Sequence, residues 1–257
     1  RDVERSRGLG DVYKRQDVRS YFTGKVKKIR KRSFCHNTGG MNMAAHRKKI
    51  GIMGGTFDPV HVGHLILGEK AYEQLGLDSV WFMPSGNPPH KRNRQGRASN
   101  EERISMVQKA IEGNPHFELS LIEMNEDGYT YTYRTLERLR QQNPDTDYYF
   151  IIGADSLYDF ATWKEPARIC QACTIVVAAR NHVPTPSLDQ EMTYLSHQYG
   201  GCFIRLDTLN IDISSQLIRQ WIQEGKSLRY YVPDPVVSYI REHHIYLAPK
   251  GEPEYNG

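Results

Sequence analysis

Apolar runs and stretches of helical periodicity alternate along the chain from residue 49 to residue 243. Short apolar runs predict six buried strands, at 49–53, 80–83, 117–122, 148–152, 174–178 and 203–206. Apolar residues that recur at intervals of three and four predict helices, at 62–75, 99–112, 130–142, 214–224 and 235–243. Strands that alternate with helices pair in parallel, so the pattern predicts an α/β fold with one doubly wound parallel sheet in a single domain.

The loop after the first predicted strand reads GGTFDPVHVGH and runs from Gly54 to His64. Ligands of doubly wound sheets bind beyond the carboxyl ends of the strands, so this loop is a candidate binding site. The helix that begins near His61 offers free backbone N–H groups to an anion. His61 and His64 are three residues apart and lie on the same side of its first turn. The sequence therefore predicts a phosphate site, with room beside Gly63 for a base or a ribose.

Other interpretations of this loop stay open. His61 could act only as a helix cap, and His64 could be a surface residue. Two histidines also suggest zinc, but no third ligand lies nearby in the sequence and their spacing differs from the usual four. The loop lacks the Gly-Lys-Ser/Thr ending of a Walker A motif and the glycine spacing of a dinucleotide-binding fingerprint.

Two further segments carry phosphate-binding candidates. Ser214 and Ser215 precede a periodic helix, which is typical of an N-cap, and Arg219 lies one turn into that helix. Lys91 belongs to a proline-stiffened loop; it could bind a phosphate or simply be solvated.

A second group of residues could hold a planar anionic ring. Thr132 lies at the start of a predicted helix, Gly153 and Asp155 follow the fourth strand, and Arg180 follows the fifth. Trp163 would supply an aromatic plane. The alternatives are that Asp155 caps a helix and that Trp163 packs in the core.

The composition is that of an ordinary globular protein. The 257 residues are 39% apolar and 25% charged, and no run of 18 apolar residues predicts a transmembrane helix. The chain contains four cysteines, too few for a disulfide scaffold. Cys170 and Cys173 form a Cys-x-x-Cys motif without a second pair, which favours a small apolar pair over a redox or metal site.

The net charge of +4 is unevenly distributed. Residues 1–48 hold 14 Lys and Arg against 4 Asp and Glu, whereas residues 49–257 hold 20 against 26. We expect 1–42 to be a non-native or disordered basic leader, 43–250 to be the domain and 251–257 to be a tail. The alternative is that the basic segment is an arm that binds RNA or DNA.

The loop GGTFDPVHVGH resembles the (H/T)-x-G-H signature of nucleotidyltransferases, and the full string is similar to bacterial nicotinate-nucleotide adenylyltransferases. The string ISSQLIR at 213–219 is similar to the I-S-S-x-x-I-R motif of that family, with Gln216 where threonine is usual. PPHK at 88–91 matches a third motif. The resemblance covers about residues 48–247 and implies a Rossmann-like nucleotidyltransferase fold and a cytoplasmic enzyme.

The resemblance implies that the adenylyl group of ATP is transferred to nicotinate mononucleotide, which gives deamido-NAD and pyrophosphate. It implies catalytic roles for His61, His64, Lys91 and Arg219. The implied ATP-binding residues are Gly54, Gly55, Thr56, Phe57, His61, Gly63, His64, Ile213, Ser214, Ser215 and Arg219. The implied mononucleotide-binding residues are Gly55, Lys91, Thr132, Gly153, Asp155, Trp163 and Arg180.

The acceptor phosphate of such a reaction is mostly dianionic at neutral pH and needs no general base. The expected catalysis is therefore positioning plus charge neutralisation. Mg²⁺ is expected as a cofactor, bound mainly through the phosphates of ATP. The alternatives are a sister enzyme that acts on nicotinamide mononucleotide or phosphopantetheine, a cytidylyltransferase, or a nucleic-acid-binding protein. Neither nucleic acid nor a membrane is an expected partner, and the sequence leaves homo-oligomer formation open.

Overall fold

The computed structural model describes residues 47–86, 96–124, 129–178, 185–208 and 211–247. Within these residues, six strands form one sheet: β1 (Lys48–Gly55), β2 (Ser79–Pro84), β3 (Phe117–Leu119), β4 (Thr146–Gly153), β5 (Thr174–Ala178) and β6 (Phe203–Leu206). Their order is β3-β2-β1-β4-β5-β6, and every pair is parallel. The predicted doubly wound parallel sheet is confirmed.

Helices connect the strands and follow the last of them. They are α1 (Val62–Leu75), α2 (Asn100–Ile111), α3 (Thr132–Gln142), α4 (Ala154–Tyr158), α5 (Pro166–Ala172), α6 (Thr185–Tyr199), α7 (Ser215–Gln223) and α8 (Asp234–Glu242). A 3₁₀ turn, Phe160–Thr162, separates α4 from α5. In the part of the chain that the structure describes, no helix has the length and apolar content to cross a membrane. The predicted leader and tail both lie outside the described residues.

The sheet separates two apolar cores because side chains alternate between its faces. Ile50 and Ile52 of β1 pack in the core shared with α3, α4, α5 and α6. Met53 points to the opposite core, which is covered by α1, α2, α7 and α8. The helix that carries Arg219 therefore lies on the same side of the sheet as α1.

Three helices were not among the predicted elements. Helices α4 and α5 have five and seven residues, which is too short for apolar periodicity to show. Helix α6 does carry a helical pattern, since Leu188, Met192 and Leu195 are buried at spacings of four and three. Strand β3 is shorter than predicted and ends at Leu119, because the chain turns at 122–124.

The strand order reverses between β1 and β4, which lie side by side at the centre of the sheet. Their connections leave toward opposite faces, and a crevice therefore opens beyond their carboxyl ends. β1 ends at Gly55 and β4 ends at Gly153. The candidate residues of the first and fourth strand-to-helix loops are thus brought to one edge of the sheet.

Candidate active site

The turn after β1 is built around Phe57. This residue has a positive φ of 50° and its ring is buried. The ring lies beneath Gly55, where a Cβ would come within 3.2 Å of it. Any larger residue at Gly55 would push the ring away, so glycine permits the turn. Gly54 is exposed and Thr56 is half-buried, so the backbone of this loop faces the crevice.

The two histidines lie together at the start of α1, as the sequence predicts. His61 is the N-cap residue and is only 5% exposed. Its backbone N–H donates to Nδ1 of His64 over 3.2 Å. The two imidazole rings stack with their centroids 3.7 Å apart, and the edge of His64 meets the Phe57 ring at 5.0 Å. His61 does cap the helix, but His64 is half-buried and held by neighbours rather than lying free on the surface.

Gly63 lies against the ring of His61, and its expected part in binding ATP stays a prediction. A Cβ at this position would lie 3.0 Å from Nδ1 and 3.1 Å from Cε1 of His61. The space beside Gly63 is therefore filled by the His61 ring, and the glycine allows that ring to fold back over the helix. Among the described residues, no three His, Cys, Asp or Glu side chains are grouped so that they could hold a metal ion.

The start of α7 packs directly against the loop between β1 and α1. Ser214 caps α7, with its Oγ accepting a hydrogen bond from the Leu217 backbone N–H. The Ser215 hydroxyl donates to the Pro59 carbonyl over 2.8 Å. Arg219 Nη1 donates to the Asp58 carbonyl and lies 3.6 Å from Asp58 Oδ2. The fold thus unites two motifs that are about 150 residues apart in the sequence.

Asp58 is a structural centre of this site that the sequence interpretation did not single out. Its side chain is 2% exposed. Besides the Arg219 ion pair, its Oδ1 accepts hydrogen bonds from the Ala98 N–H, at 3.1 Å, and the Tyr246 hydroxyl, at 2.7 Å. A buried carboxylate is stable only when paired and hydrogen-bonded. The sequence signal that could have indicated its importance is its place between Phe57 and Pro59 in the motif.

The Tyr246 hydroxyl makes stability sensitive to alkaline pH. Burial, with the adjacent Asp58 carboxylate, raises the pKa of Tyr246 well above its ordinary value of 10. Above pH ~10 the tyrosine hydroxyl of the unfolded chain loses its proton, while Tyr246 in the folded chain keeps it. The free energy of unfolding therefore falls with rising pH, by about 1.4 kcal/mol per pH unit from this group.

We predict that Tyr246→Phe lowers the unfolding free energy at neutral pH by about 1–3 kcal/mol, because Asp58 loses a hydrogen-bond donor. The difference from wild type should shrink above pH ~10. Urea unfolding at several alkaline pH values measures both effects. Burial also raises the pKa of Tyr148 and Tyr149, but those groups are common to both proteins and cancel in the difference. Two curves that stay parallel across this range would contradict the assignment.

A buried arginine also holds this loop, and the sequence interpretation missed it. Arg103 of α2 is 4% exposed. Its Nη1 donates to the Thr56 carbonyl over 2.7 Å, and its Nη2 donates to the Ser85 carbonyl over 2.9 Å. Nη2 also donates to Asn100 Oδ1 over 2.8 Å. On sequence alone Arg103 is one charged residue of an amphipathic helix, and nothing local indicates its burial.

Of the residues expected around a planar ring, Gly153 and Asp155 lie directly at the carboxyl end of β4. Gly153 precedes α4 with open space where a Cβ would be. Asp155 is exposed in the first turn of α4, whose N-cap is Gly153, so Asp155 is not itself the cap. Thr132 is the first residue of α3 and is half-buried. Trp163 is half-buried, with its ring against Phe150 and Phe160.

For the other residues that the sequence singled out, the structure gives less information about a binding role. Lys91 and Arg180 lie outside the described residues. Ile213 is buried beside the start of α7 and contributes its side chain to the core.

Cys170 and Cys173 are free thiols, and burial raises the pKa of Cys170 to about 11 and that of Cys173 further. High thiol pKa values disfavour reactive thiolates, which agrees with the expected apolar pair.

The sequence of this site has close counterparts in known proteins. The profile of the cytidylyltransferase-like family matches residues 52–221. A curated relative from Lachnoclostridium phytofermentans, named "Probable nicotinate-nucleotide adenylyltransferase", is 40% identical over 200 residues, which are 78% of this chain and 100% of the relative. A relative of the same name from Lactiplantibacillus plantarum is 43% identical and covers 79% of this chain and 90% of its own.

The chain belongs to the nicotinate-nucleotide adenylyltransferases. It is therefore a nucleotidyltransferase, and its doubly wound sheet is the Rossmann-like fold of that family. Nicotinic acid mononucleotide adenylyltransferase from Plasmodium falciparum, complexed with NaAD, has the same fold with a TM-score of 0.63. That structure is 21% identical and covers 77% of this chain and 97% of its own.

Proposed function

We propose that this nicotinate-nucleotide adenylyltransferase transfers the adenylyl group of ATP to nicotinate mononucleotide, giving deamido-NAD and pyrophosphate. The observation that carries the proposal is the convergence of α1 and α7 on the turn after β1. The positive dipole ends of two helices, two imidazoles and one guanidinium suit a polyphosphate. The names of the relatives point to nicotinate mononucleotide as the acceptor.

The hydrogen bonds of the site suggest how each group meets ATP. Ser214 Oγ already accepts a bond from Leu217, so its hydroxyl hydrogen is available to donate to a phosphate oxygen. The Ser215 hydroxyl hydrogen is used by Pro59, so Ser215 would contribute its backbone N–H instead. Arg219 uses one guanidinium nitrogen on Asp58, and the remaining donors can bind phosphate. His61 and His64 would lie beside the α-phosphate.

The reaction needs charge neutralisation more than proton transfer. An oxygen of the mononucleotide phosphate attacks the α-phosphorus of ATP, a new P–O bond forms, and the bond from the α-phosphorus to the bridging oxygen breaks. Pyrophosphate leaves with the electron pair of that bond. The histidines and Arg219 stabilise the charge that develops on the phosphate oxygens, and the two loops hold the reactants in line.

We propose that Mg²⁺ binds with ATP and neutralises its phosphates. Asp58 is the carboxylate nearest to the turn in sequence, but it is buried and bonded to Ala98 and Tyr246. Its bonds suit it to hold protein groups rather than a metal ion. The ligands would then be mainly phosphate oxygens and water, which is the usual mode of Mg²⁺ with nucleotides.

We propose that Trp163 stacks on the pyridine ring of the mononucleotide. Phe150 and Phe160 support the indole from the core, and the half-buried Trp163 keeps part of its surface toward solvent. Thr132 at the start of α3 and Asp155 in α4 would bind the ring substituent and a ribose hydroxyl. Gly153 would leave room for the ribose. Lys91 and Arg180 are proposed for this side by resemblance.

Trp163→Ala is predicted to raise KM for nicotinate mononucleotide about tenfold, which corresponds to about 1.4 kcal/mol of lost stacking. KM for ATP should change by less than about twofold, because the indole lies on the acceptor side. Steady-state kinetics with each substrate varied in turn measure the two values. Trp163→Phe keeps an aromatic plane and should recover most of the loss. An unchanged mononucleotide KM in the alanine variant would reject the stacking role.

The function itself is tested by pyrophosphate release from ATP with different acceptors. We expect kcat/KM to be highest with nicotinate mononucleotide, lower with nicotinamide mononucleotide, and negligible with phosphopantetheine. CTP in place of ATP should be a poor donor. A preference for phosphopantetheine or for CTP would assign the chain to a sister activity, and no release with any acceptor would defeat the proposal. Location in the cytoplasm stays a prediction.

A further inference from the structure

Two buried charged residues bond to the two described ends, 84–86 and 96–98, of the segment 84–98. At its first end, Arg103 donates to the carbonyl of Ser85, and the same guanidinium donates to the carbonyl of Thr56. The Ser85 backbone N–H also donates to the Gly55 carbonyl over 2.8 Å. The beginning of the segment is therefore bonded directly to the turn after β1.

The second end of the segment is held by Asp58. Its Oδ1 accepts the backbone N–H of Ala98, while its carbonyl and Oδ2 face Arg219. Arg103 and Asp58 thus hold opposite ends of one segment against the same turn. Both side chains are almost fully buried, so water does not compete for these bonds and the geometry is rigid.

A third contact links the segment to α3. A Cβ at Gly86 would overlap the backbone carbonyl oxygen of Glu123, so only glycine allows this approach. The buried Glu123 carboxylate in turn accepts a hydrogen bond from Thr135 of α3 over 2.9 Å. Thr132 begins the same helix. A continuous set of hydrogen bonds and close contacts therefore runs from the turn after β1 through Arg103, Ser85 and Gly86 to α3.

We propose that Arg103 and Asp58 are positioning residues that set the separation between the ATP phosphates and the acceptor phosphate. The inference rests on the proposed function, in which the turn after β1 binds ATP and the start of α3 binds the acceptor. In-line transfer between two bound phosphates depends steeply on their distance and alignment. Arg103 has its guanidinium committed to protein acceptors and acts through the backbone that it holds.

The guanidinium is suited to this role because its planar donors reach several acceptors in fixed directions. Thr56 and Ser85 offer carbonyl oxygens, and Asn100 offers an amide oxygen. An ammonium group at the end of a lysine carries the same charge but cannot bridge both carbonyls with the same geometry. Arg103→Lys therefore separates the loss of positioning from the loss of charge.

Arg103→Lys is expected to lower kcat about 10- to 30-fold, while KM for ATP and KM for nicotinate mononucleotide each change by less than about threefold. Each substrate can still bind, but the turn after β1 and the start of α3 are no longer held at the reactive distance. Steady-state and single-turnover pyrophosphate release measure kcat and the chemical step. Equilibrium binding of a non-hydrolysable ATP analogue should be near normal.

Ser99→Ala is the matched control for a general loosening of α2. Ser99 caps the same helix, with Oγ accepting from Glu102 N–H, and among the described residues its side chain is not bonded to the turn after β1 or to Ser85. It should lower the melting temperature with kcat near that of wild type. Asn100→Ala removes one acceptor of Arg103 and leaves both carbonyl bonds, so its kcat should lie between wild type and Arg103→Lys.

Two outcomes would overturn the inference. One is a normal kcat in a folded Arg103→Lys protein. The other is a Ser99→Ala protein that matches Arg103→Lys in both melting temperature and kcat, which would assign the effect to stability alone. Failure of the proposed function is distinguishable, because wild type would then release no pyrophosphate with nicotinate mononucleotide.

Discussion

His64→Ala is expected to lower kcat about 10²–10³-fold, the loss typical of removing one preorganised electrostatic group. The imidazole is held in one orientation by the His61 N–H and the Phe57 ring, and it lies at the start of α1. The imidazole therefore needs little reorientation when charge develops on the α-phosphate. Binding of ATP should weaken much less, since the helix N-terminus and α7 remain.

The measurement is single-turnover pyrophosphate release, with the fold checked by circular dichroism and thermal unfolding. His116→Ala provides a matched control: His116 is also half-buried and also stacks on a ring, that of Tyr72, but it precedes β3 at the opposite end of the sheet. Its turnover should stay near that of wild type. Near-normal turnover in a folded His64→Ala protein would defeat the catalytic role of this residue.

Arg219→Ala is the second large effect, with an expected loss of about 10² in kcat/KM for ATP. The guanidinium lies where α7 meets the turn after β1 and has donors beyond those that Asp58 uses. Arg219→Lys should recover only part of the loss, because a point charge cannot bind protein carbonyl and phosphate in the same directions.

Loss of Arg219 also removes the ion pair of the buried Asp58, so stability must be measured alongside activity. Arg47→Ala is the control for a lost arginine–aspartate pair. Arg47 Nε lies 2.8 Å from Asp147, at the amino ends of β1 and β4. That variant should keep its kcat/KM. A stabilising osmolyte can restore the stability of Arg219→Ala but cannot replace the guanidinium. If the osmolyte also restored activity, a direct role of Arg219 at the phosphates would be contradicted.

The strands and the longer helices could be predicted because their signals are local. Strand β5 has the predicted bounds, 174–178, and β1 and β4 extend the predicted runs by one to two residues at each end. Helix α1 matches its predicted range, and Gly76 closes it in a left-handed conformation. Apolar periodicity acts within one element, so a short window contains it. The grouping of glycines and histidines after β1 was predictable for the same reason, since they share one turn.

The buried charged residues that bond to the turn after β1 could not be predicted. Asp58 and Tyr246 are 188 residues apart, and Arg103 lies 47 residues from Thr56. A charged residue in an amphipathic helix is ordinarily exposed, so nothing local indicates that Arg103 is buried. Its burial follows only from the packing of α2 beside the carboxyl ends of β1 and β2.

The sequence by itself determined the six strands, five of the helices, the family, and the two motifs that are proposed to bind phosphate. Only the tertiary structure decided that Ser215 and Arg219 bond to the turn after β1, and that Arg103 and Asp58 hold both ends of the segment 84–98. The physical reason is the distance along the sequence over which each kind of interaction acts. Secondary structure depends on hydrogen bonds and periodicity between near neighbours, whereas a buried charge is stable only beside partners that the folded chain brings from distant positions.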